Sequence, residues 1–266
     1  MAVRRRSRYL GLHMVFLFAF LYVPIGVLIA LSFNASGLPA TWGGFSLEWY
    51  RALAANTELL QALGNSLVVA VAVTAIATLL GTLLAVGLQR TVRSRVLDSV
   101  LFLPAVIPDI VLAIGLLSFF NLLRFTLGLH TIVISHVVFD MIFVAAIVRT
   151  RLGYFDRRIE DAAADLYATP TQVFRLVTLP AILPGVLAGA LVAFTLSFDE
   201  FVIAFFNSGP TSITFPIRVY GMIRFGVTPE INAVAAIVLV VSLVAMLLAL
   251  RLTRPKGEQR LVVGIA

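Results

Sequence analysis

Six times along this 266-residue chain an apolar run reaches the length of a membrane span. A helix rising ~1.5 Å per residue needs about 20 apolar residues to cross a hydrocarbon core of ~30 Å. The runs are Leu12–Phe33, Asn65–Leu88, Val100–Leu123, Thr131–Val148, Leu183–Phe206 and Ile231–Leu252. The bilayer core offers no water, so chains built of such runs satisfy their backbone inside helices. The sequence therefore predicts an all-α integral membrane protein with six transmembrane helices, residues 1–266 forming a single transmembrane domain. Only 12% of residues are charged, where a soluble domain carries about 25%. A mean hydropathy of +1.04 says the same.

The net charge of +7 is not gathered on a soluble face, which argues against nucleic acid as a partner. It sits at the ends of the apolar runs, against the lipid bilayer. Arg4, Arg5, Arg6 and Arg8 precede the first run, and Arg90, Arg93 and Arg95 follow the second. Arg149, Arg151, Arg157, Arg158 and Arg175 follow the fourth, and Arg251, Arg254, Lys256 and Arg260 close the chain. The alternate connections hold only Arg51, Arg124, Arg218 and Arg224. Positive charge stays inside, so both termini are predicted to be cytoplasmic. The first run is longer than the ~7–15 residues of a signal-peptide core, so it is expected to remain as a span. On the outer side, Trp42, Trp49 and Tyr50 read as an interfacial aromatic belt, with a short surface helix from about Ser46.

Catalytic chemistry finds little to work with. The chain has no cysteine, and His13, His130 and His136 lack metal-ligand spacing. No phosphate-cradling loop is present. The chain is expected to be no enzyme, with no metal site and no cofactor of its own. The segment GVLAG, Gly185 to Gly189, would permit close helix approach.

Acids, by contrast, fall inside the predicted spans: Asp109, Asp140, Asp199 and Glu200. An ionised acid at a helix centre costs about 2.5–3.5 kcal/mol, so such residues normally face a pathway or a partner. Asp109 and Asp140 each lie about ten residues, or ~15 Å, into their runs, near the midplane. No lysine or arginine lies deep in any run to neutralise them. Carboxylates without internal cations suit a cationic cargo passing through. Each acid also has a plainer reading. Asp140 sits one turn from His136 and the two could satisfy each other; Asp109 follows Pro108 and could bond amides freed by a proline kink. Ser197, Glu200 and Asn207 follow i, i+3, i+10 and could line a path, with Thr195 and Asp199 an i,i+4 pair beside it. Phe198, Phe201, Phe205 and Phe206 lie near the acids, where a ring face can hold a cation.

One long polar segment remains, IEDAAADLYATPTQVFRLVTLPAILPG from Ile159 to Gly185. Ile159 to Ala168 is rich in helix formers. Thr169, Pro170 and Gln172 then form a capping-box pattern that opens a second helix, and Pro180 is expected to end it. The segment reads as a cytoplasmic helix–turn–helix just before the fifth span. It could pack on the bundle as an ordinary amphipathic loop. The alanines at 162, 163 and 164 instead give a narrow ridge flanked by polar residues, which suits docking to a soluble partner.

Asp161, Ala162 and Ala163, followed in register by Leu179 and Pro180, resemble the E-A-A signature of the permease subunits of bacterial ABC importers. That pattern continues with three residues, a glycine, nine residues, and I-x-L-P. Here Asp161 replaces the glutamate, Tyr167 stands at the glycine and Val177 replaces the isoleucine. A bulky residue at a positive φ costs ~1 kcal/mol or more, so either that turn is built differently or Tyr167 makes a compensating contact. The blocks IPDIV (107–111), SFDE (197–200) and GVTPEINA (226–233) are similar to the spermidine/putrescine-type branch, and the likeness covers nearly the whole chain.

The resemblance implies a type I ABC importer permease fold in a bacterial inner (cytoplasmic) membrane. It implies that residues about 159–180 are coupling helices, with Glu160, Asp161, Ala162, Ala163, Asp165, Tyr167, Leu179 and Pro180 meeting the ATPase. Asp109, Asp140, Ser197, Asp199 and Glu200 would line the substrate pathway. Expected partners are an ABC ATPase dimer that binds the ATP, a homologous second permease and a soluble substrate-binding protein. A related permease could carry another solute, an aminophosphonate or an opine-like amino acid derivative. Two other classes compete. A proton- or sodium-coupled carrier would use the same acids and would show repeats or broken helices. A membrane-embedded enzyme would have only His136–Asp140, with no third group at suitable spacing.

Overall fold

The computed structural model describes residues 2–37, 41–90, 102–224 and 229–252. All its extended elements there are helices: α1 (Ala2–Leu31), α2 (Glu48–Ala55), α3 (Thr57–Arg90), α4 (Asp109–Leu122) and α5 (Leu129–Gly153). They continue as α6 (Arg158–Asp165), α7 (Pro170–Asp199), α8 (Val202–Asn207), α9 (Phe215–Arg224) and α10 (Pro229–Leu252). α1, α3, α5 and α7 each hold a stretch long and apolar enough to cross a membrane. The chain divides into two compact units, residues 1–57 with 221–266, and residues 58–220.

In the first unit, α1 and α2 both pack against α10. From Gly11 to Leu31 α1 is strongly apolar, and Leu12, Phe16, Phe20 and Tyr22 are exposed, as suits a helix surrounded by lipid or by another subunit. A tight connection follows it. The buried Asn34 accepts from the amides of Ser36 (3.1 Å) and Gly43 (2.8 Å) and donates to the Thr41 carbonyl (2.7 Å). Trp49 on α2 donates to the Asn34 carbonyl at 2.8 Å, and the Tyr50 hydroxyl meets Ser32 Oγ at 2.7 Å. Of the three predicted belt aromatics, two are thus tied inward and only Trp42 is largely exposed.

The second unit is organised around α5. Val144 at its middle is fully buried and lies against glycines on two neighbours. A Cβ on Gly81 of α3 would stand 2.5 Å from the Met141 carbonyl oxygen, and one on Gly189 of α7 would stand 3.1 Å from Val144 Cγ1. Gly185 meets Arg151 in the same way, its Cβ position 2.8 Å from that of Arg151. Small residues let helix backbones approach where hydrophobic burial supplies no net force between spans. Both glycines of GVLAG serve this contact, and Val69, Val73, Ile132, Val148 and Ile182 fill the core around it. A smaller cluster of Ala113, Phe139 and Ile203 joins α4, α5 and α8.

Three expected boundaries are corrected. The run Val100–Leu123 is not one continuous span: among its described residues a short turn at Leu103–Ala105 is followed by Pro108 and a helix only from Asp109. Pro104 and Pro108 each lack a donor, and a proline disfavours α-helical geometry at the residue before it, so the long helix starts only after Pro108. The helix opened by the TPTQ capping box does not end at Pro180. It widens into a π turn at Phe174–Thr178, with Leu179 N–H bonding the Phe174 carbonyl, and continues as α7. Pro180 cannot donate to Leu176, and the wider turn makes room for its ring. Finally, the fifth run is no unbroken helix to Phe206. α7 stops at Asp199, Glu200 is extended (φ −70°, ψ 114°), and α8 starts anew.

Candidate functional site

The segment from Asp156 to Pro180 is built mainly from local contacts. Asp156 Oδ1 accepts the Arg158 amide at 3.0 Å and opens α6, while Glu160 and Asp161 place negative charge on its first turn. No residue of α6 is buried. The helix closes by two bonds, Tyr167 N–H to the Ala164 carbonyl (2.9 Å) and Ala168 N–H to the Ala163 carbonyl (3.2 Å). This pair is a Schellman cap, whose turn residue takes a left-handed conformation and is usually glycine. Here it is Tyr167, at φ 61°. The turn is therefore the one a glycine would make, with a tyrosine in it.

Thr169 then caps α7. Its Oγ1 accepts the Gln172 amide (3.4 Å), and Gln172 Oε1 accepts the Thr169 amide (2.8 Å), so the capping box read from TPTQ is present. Thr178, buried in the π turn, donates to Glu160 Oε1 and fastens α6 to the base of α7. Arg157 Nη2 donates to the Gln89 carbonyl at 2.8 Å, anchoring the start of α6 to the end of α3. Asp161, Ala162 and Asp165 face outward, Ala163 and Leu179 are half-buried, and Pro180 is exposed.

A different logic governs the acids. Asp109 opens α4, Asp140 lies in the middle of α5, and Asp199 and Glu200 mark the break between α7 and α8. The fold brings them together. Glu200 stands within electrostatic range of Asp109, Asp140 and Asp199, so its charged neighbours are acids. Glu200 Oε1 accepts the Ile203 amide at 3.0 Å, and the Val202 amide also bonds the carboxylate, so Glu200 caps α8. Asp140 is buried, and its Oδ2 has no hydrogen-bond partner among the described residues. Asp109 and Asp199 are exposed.

The His136–Asp140 pair expected from i,i+4 spacing does not form. His136 Nδ1 instead meets Ser197 Oγ at 2.9 Å, a bond across the α5–α7 interface one turn before the break. Ser197 is thereby held by a histidine, and the proposed stripe Ser197, Glu200, Asn207 is interrupted at Glu200. Asn207 points back into the protein, donating to the carbonyls of Ile203 (3.0 Å) and Ala113 (3.3 Å). Thr195 donates to the Leu191 carbonyl at 2.9 Å.

Aromatic rings flank the acids. Phe201 lies next to Glu200 and meets Tyr220 with ring centroids 4.7 Å apart, and Phe205 approaches both at 5.4 and 6.1 Å. Phe198 stacks between Phe194 and Phe215, at 6.1 and 6.3 Å. Tyr220 was not foreseen, since no acid stands near it in the sequence and only the fold brings it to Phe201. Clustered carboxylates repel one another and hold a cation strongly, and ring faces add ~0.5–2 kcal/mol. Such chemistry suits a cationic partner.

A separate cleft of about 380 Å³ lies at the start of α3. Glu58, Gln61, Ala62 and Asn65 form one wall, and Pro210, Thr211, Ile213 and Arg218 the other. Glu58 and Arg218 close it with an ion pair. Asn65 Nδ2 donates to the Ile213 carbonyl (2.9 Å) and Ser66 Oγ accepts the Phe215 amide (2.8 Å).

Comparison with known proteins places this architecture. Residues 77–255 match the family described as the binding-protein-dependent transport system inner membrane component. The spermidine/putrescine transport system permease protein PotC of Escherichia coli (strain K12) is 42% identical over 250 residues, covering 93% of this chain and 95% of that protein. The putrescine transport system permease protein PotI of the same strain is 42% identical over 84% of this chain and 82% of its own length. Among solved structures, a bacterial ABC transporter that imports the acidic polysaccharide alginate aligns with a TM-score of 0.72 at 12% identity, over 94% of this chain and 97% of that one. An amino acid ABC transporter aligns at 0.61 and 16% identity, over 78% and 98%. At those identities the two structures speak for the fold alone. Family match, full-length relatives and shared fold agree: this chain belongs to the binding-protein-dependent transport system inner membrane components, the multi-pass permease subunits of ABC transporters.

Proposed function

We propose that this chain forms half of the translocation pathway for polyamines in an ATP-driven importer, with six spans and both terminal segments on the cytoplasmic side. A homologous permease completes the pore, a soluble binding protein delivers cargo from outside, and an ATPase dimer docks on α6 and the base of α7. The ATP belongs to those ATPase subunits, and this chain makes no covalent bond to its cargo. The observation that carries the reading is the meeting of Asp109 and Asp140, from two other helices, with the adjacent Asp199 and Glu200, near Phe201 and Tyr220. The polyamine permeases at 42% identity support the same cargo class.

The residues divide the work. Glu200, set by the break between α7 and α8 and held there by the amides of α8, presents its negative charge to a passing ammonium. Asp109 and Asp199, both exposed, supply charge on either side of it. Ser197 keeps the last turn of α7 against α5 through His136. At the cytoplasmic end, α6 rides on α7 through Glu160 and Thr178, so a push on α6 moves the helix that ends in Asp199.

The break at Glu200 is also what a proton- or sodium-coupled carrier would use. The test is uptake of labelled spermidine and putrescine into proteoliposomes holding the whole complex. Uptake that requires both ATP and the binding protein is the expected outcome. Uptake driven by a proton or sodium gradient without ATP would overturn the assignment, and ATP-driven uptake of an aminophosphonate alone would overturn the cargo.

A further inference from the structure

Tyr167 combines two properties that rarely coincide. Its backbone is left-handed, at φ 61°, where any side chain but glycine is strained. The residue is 96% exposed, so no packing among the described residues offsets that strain. Leu166 beside it is 81% exposed. Strain of this kind persists where function needs the side chain in place. The two bonds of the Schellman cap hold the backbone rigidly, so the ring projects from a fixed point at the end of α6.

We infer that Tyr167 is an aromatic anchor for the ATPase subunit, seated in an apolar socket with a basic rim on that partner. The inference rests on the ATPase docking proposed above and adds the residue that sets its strength and selectivity. Asp161 and Asp165 stand one helical turn apart on the exposed face of α6, next to the tyrosine, and give the charge that a basic rim complements. A tyrosine suits this role, offering a large rigid contact for two side-chain torsions, and such residues dominate the energetics of interfaces. A glycine would make the same turn without strain and without grip.

The experiment measures ATPase binding to the purified full permease pair in lipid nanodiscs, comparing the native chain with Tyr167→Gly and Tyr167→Phe. Tyr167→Gly is expected to weaken ATPase binding about tenfold, the size of a 1.4 kcal/mol contact, while the permease itself unfolds at the same temperature or higher. Tyr167→Phe is expected to stay within about twofold of native. Equal binding by the native chain and Tyr167→Gly would overturn the anchor while leaving the ATPase docking in place. Failure of the native chain to hold an ATPase at all would overturn both. Binding by the native chain that does not weaken with salt would remove the basic rim.

Discussion

The two ends of α7 are made by opposite means. At its first end, capping box, Schellman cap and the Glu160–Thr178 bond join residues at most 18 positions apart. At its other end, the acids come from α4, α5 and the α7–α8 break, joined by packing and by bonds such as His136–Ser197, 61 positions apart. One end is a preformed handle, fixed by local rules and left exposed. The other is a meeting point that exists only when several helices are packed. A single helix thus carries a rigid grip at one end and a polar break at the other. In the function proposed above, force applied at the first end would have to reach the acids at the second.

The largest expected effect separates the two ends. The double variant Asp199→Asn/Glu200→Gln should lower uptake at limiting polyamine by about tenfold or more, since each lost charge contact is worth ~1.5–3 kcal/mol. ATPase binding should be unchanged, as read by co-purification. If the grip weakens as well, the ends are not independent. Loosening the helix between them should harm both. Gly189→Val pushes branched carbons against Val144, which the structure holds 3.1 Å from a Cβ, and should cost about 1–3 kcal/mol by thermal unfolding of the complex. Thr178→Val removes one bond between α6 and α7, about 0.5–1.5 kcal/mol. It should raise the number of ATP molecules hydrolysed per polyamine imported while leaving polyamine affinity unaltered. The smallest effect has the opposite sign. Tyr167→Gly should stabilise the isolated permease by up to ~1 kcal/mol, measured by chemical denaturation in detergent.

How much of this the sequence disclosed follows the same division. The TPTQ capping box was readable because helix caps are decided within a few residues, whereas the sequence left two forms open for the turn at Tyr167 and the fold took the glycine-like one. Basic residues, apolar runs and the E-A-A-like pattern led to the permease family for the same reason: each signal is contiguous. The broken third run was also legible in principle, since Pro104 and Pro108 are strong breakers that run length alone conceals. The break at Glu200 had no such sign. LSFDEFVIAFF contains neither proline nor glycine, and an apolar run of that composition reads as continuous helix. Only the folded chain shows a carboxylate capping a new helix. Likewise, i,i+4 spacing offered Asp140 to His136, but a serine on another helix took the ring nitrogen. Tyr220 entered the site through tertiary packing and through nothing in its own neighbourhood.

The most direct test is ATP hydrolysis by the reconstituted complex with its binding protein, in the presence of polyamines, neutral amino acids or aminophosphonates. The account predicts stimulation by spermidine or putrescine alone, with the half-maximal concentration raised by Glu200→Gln. Stimulation by a neutral or anionic solute that is indifferent to Glu200→Gln would contradict it.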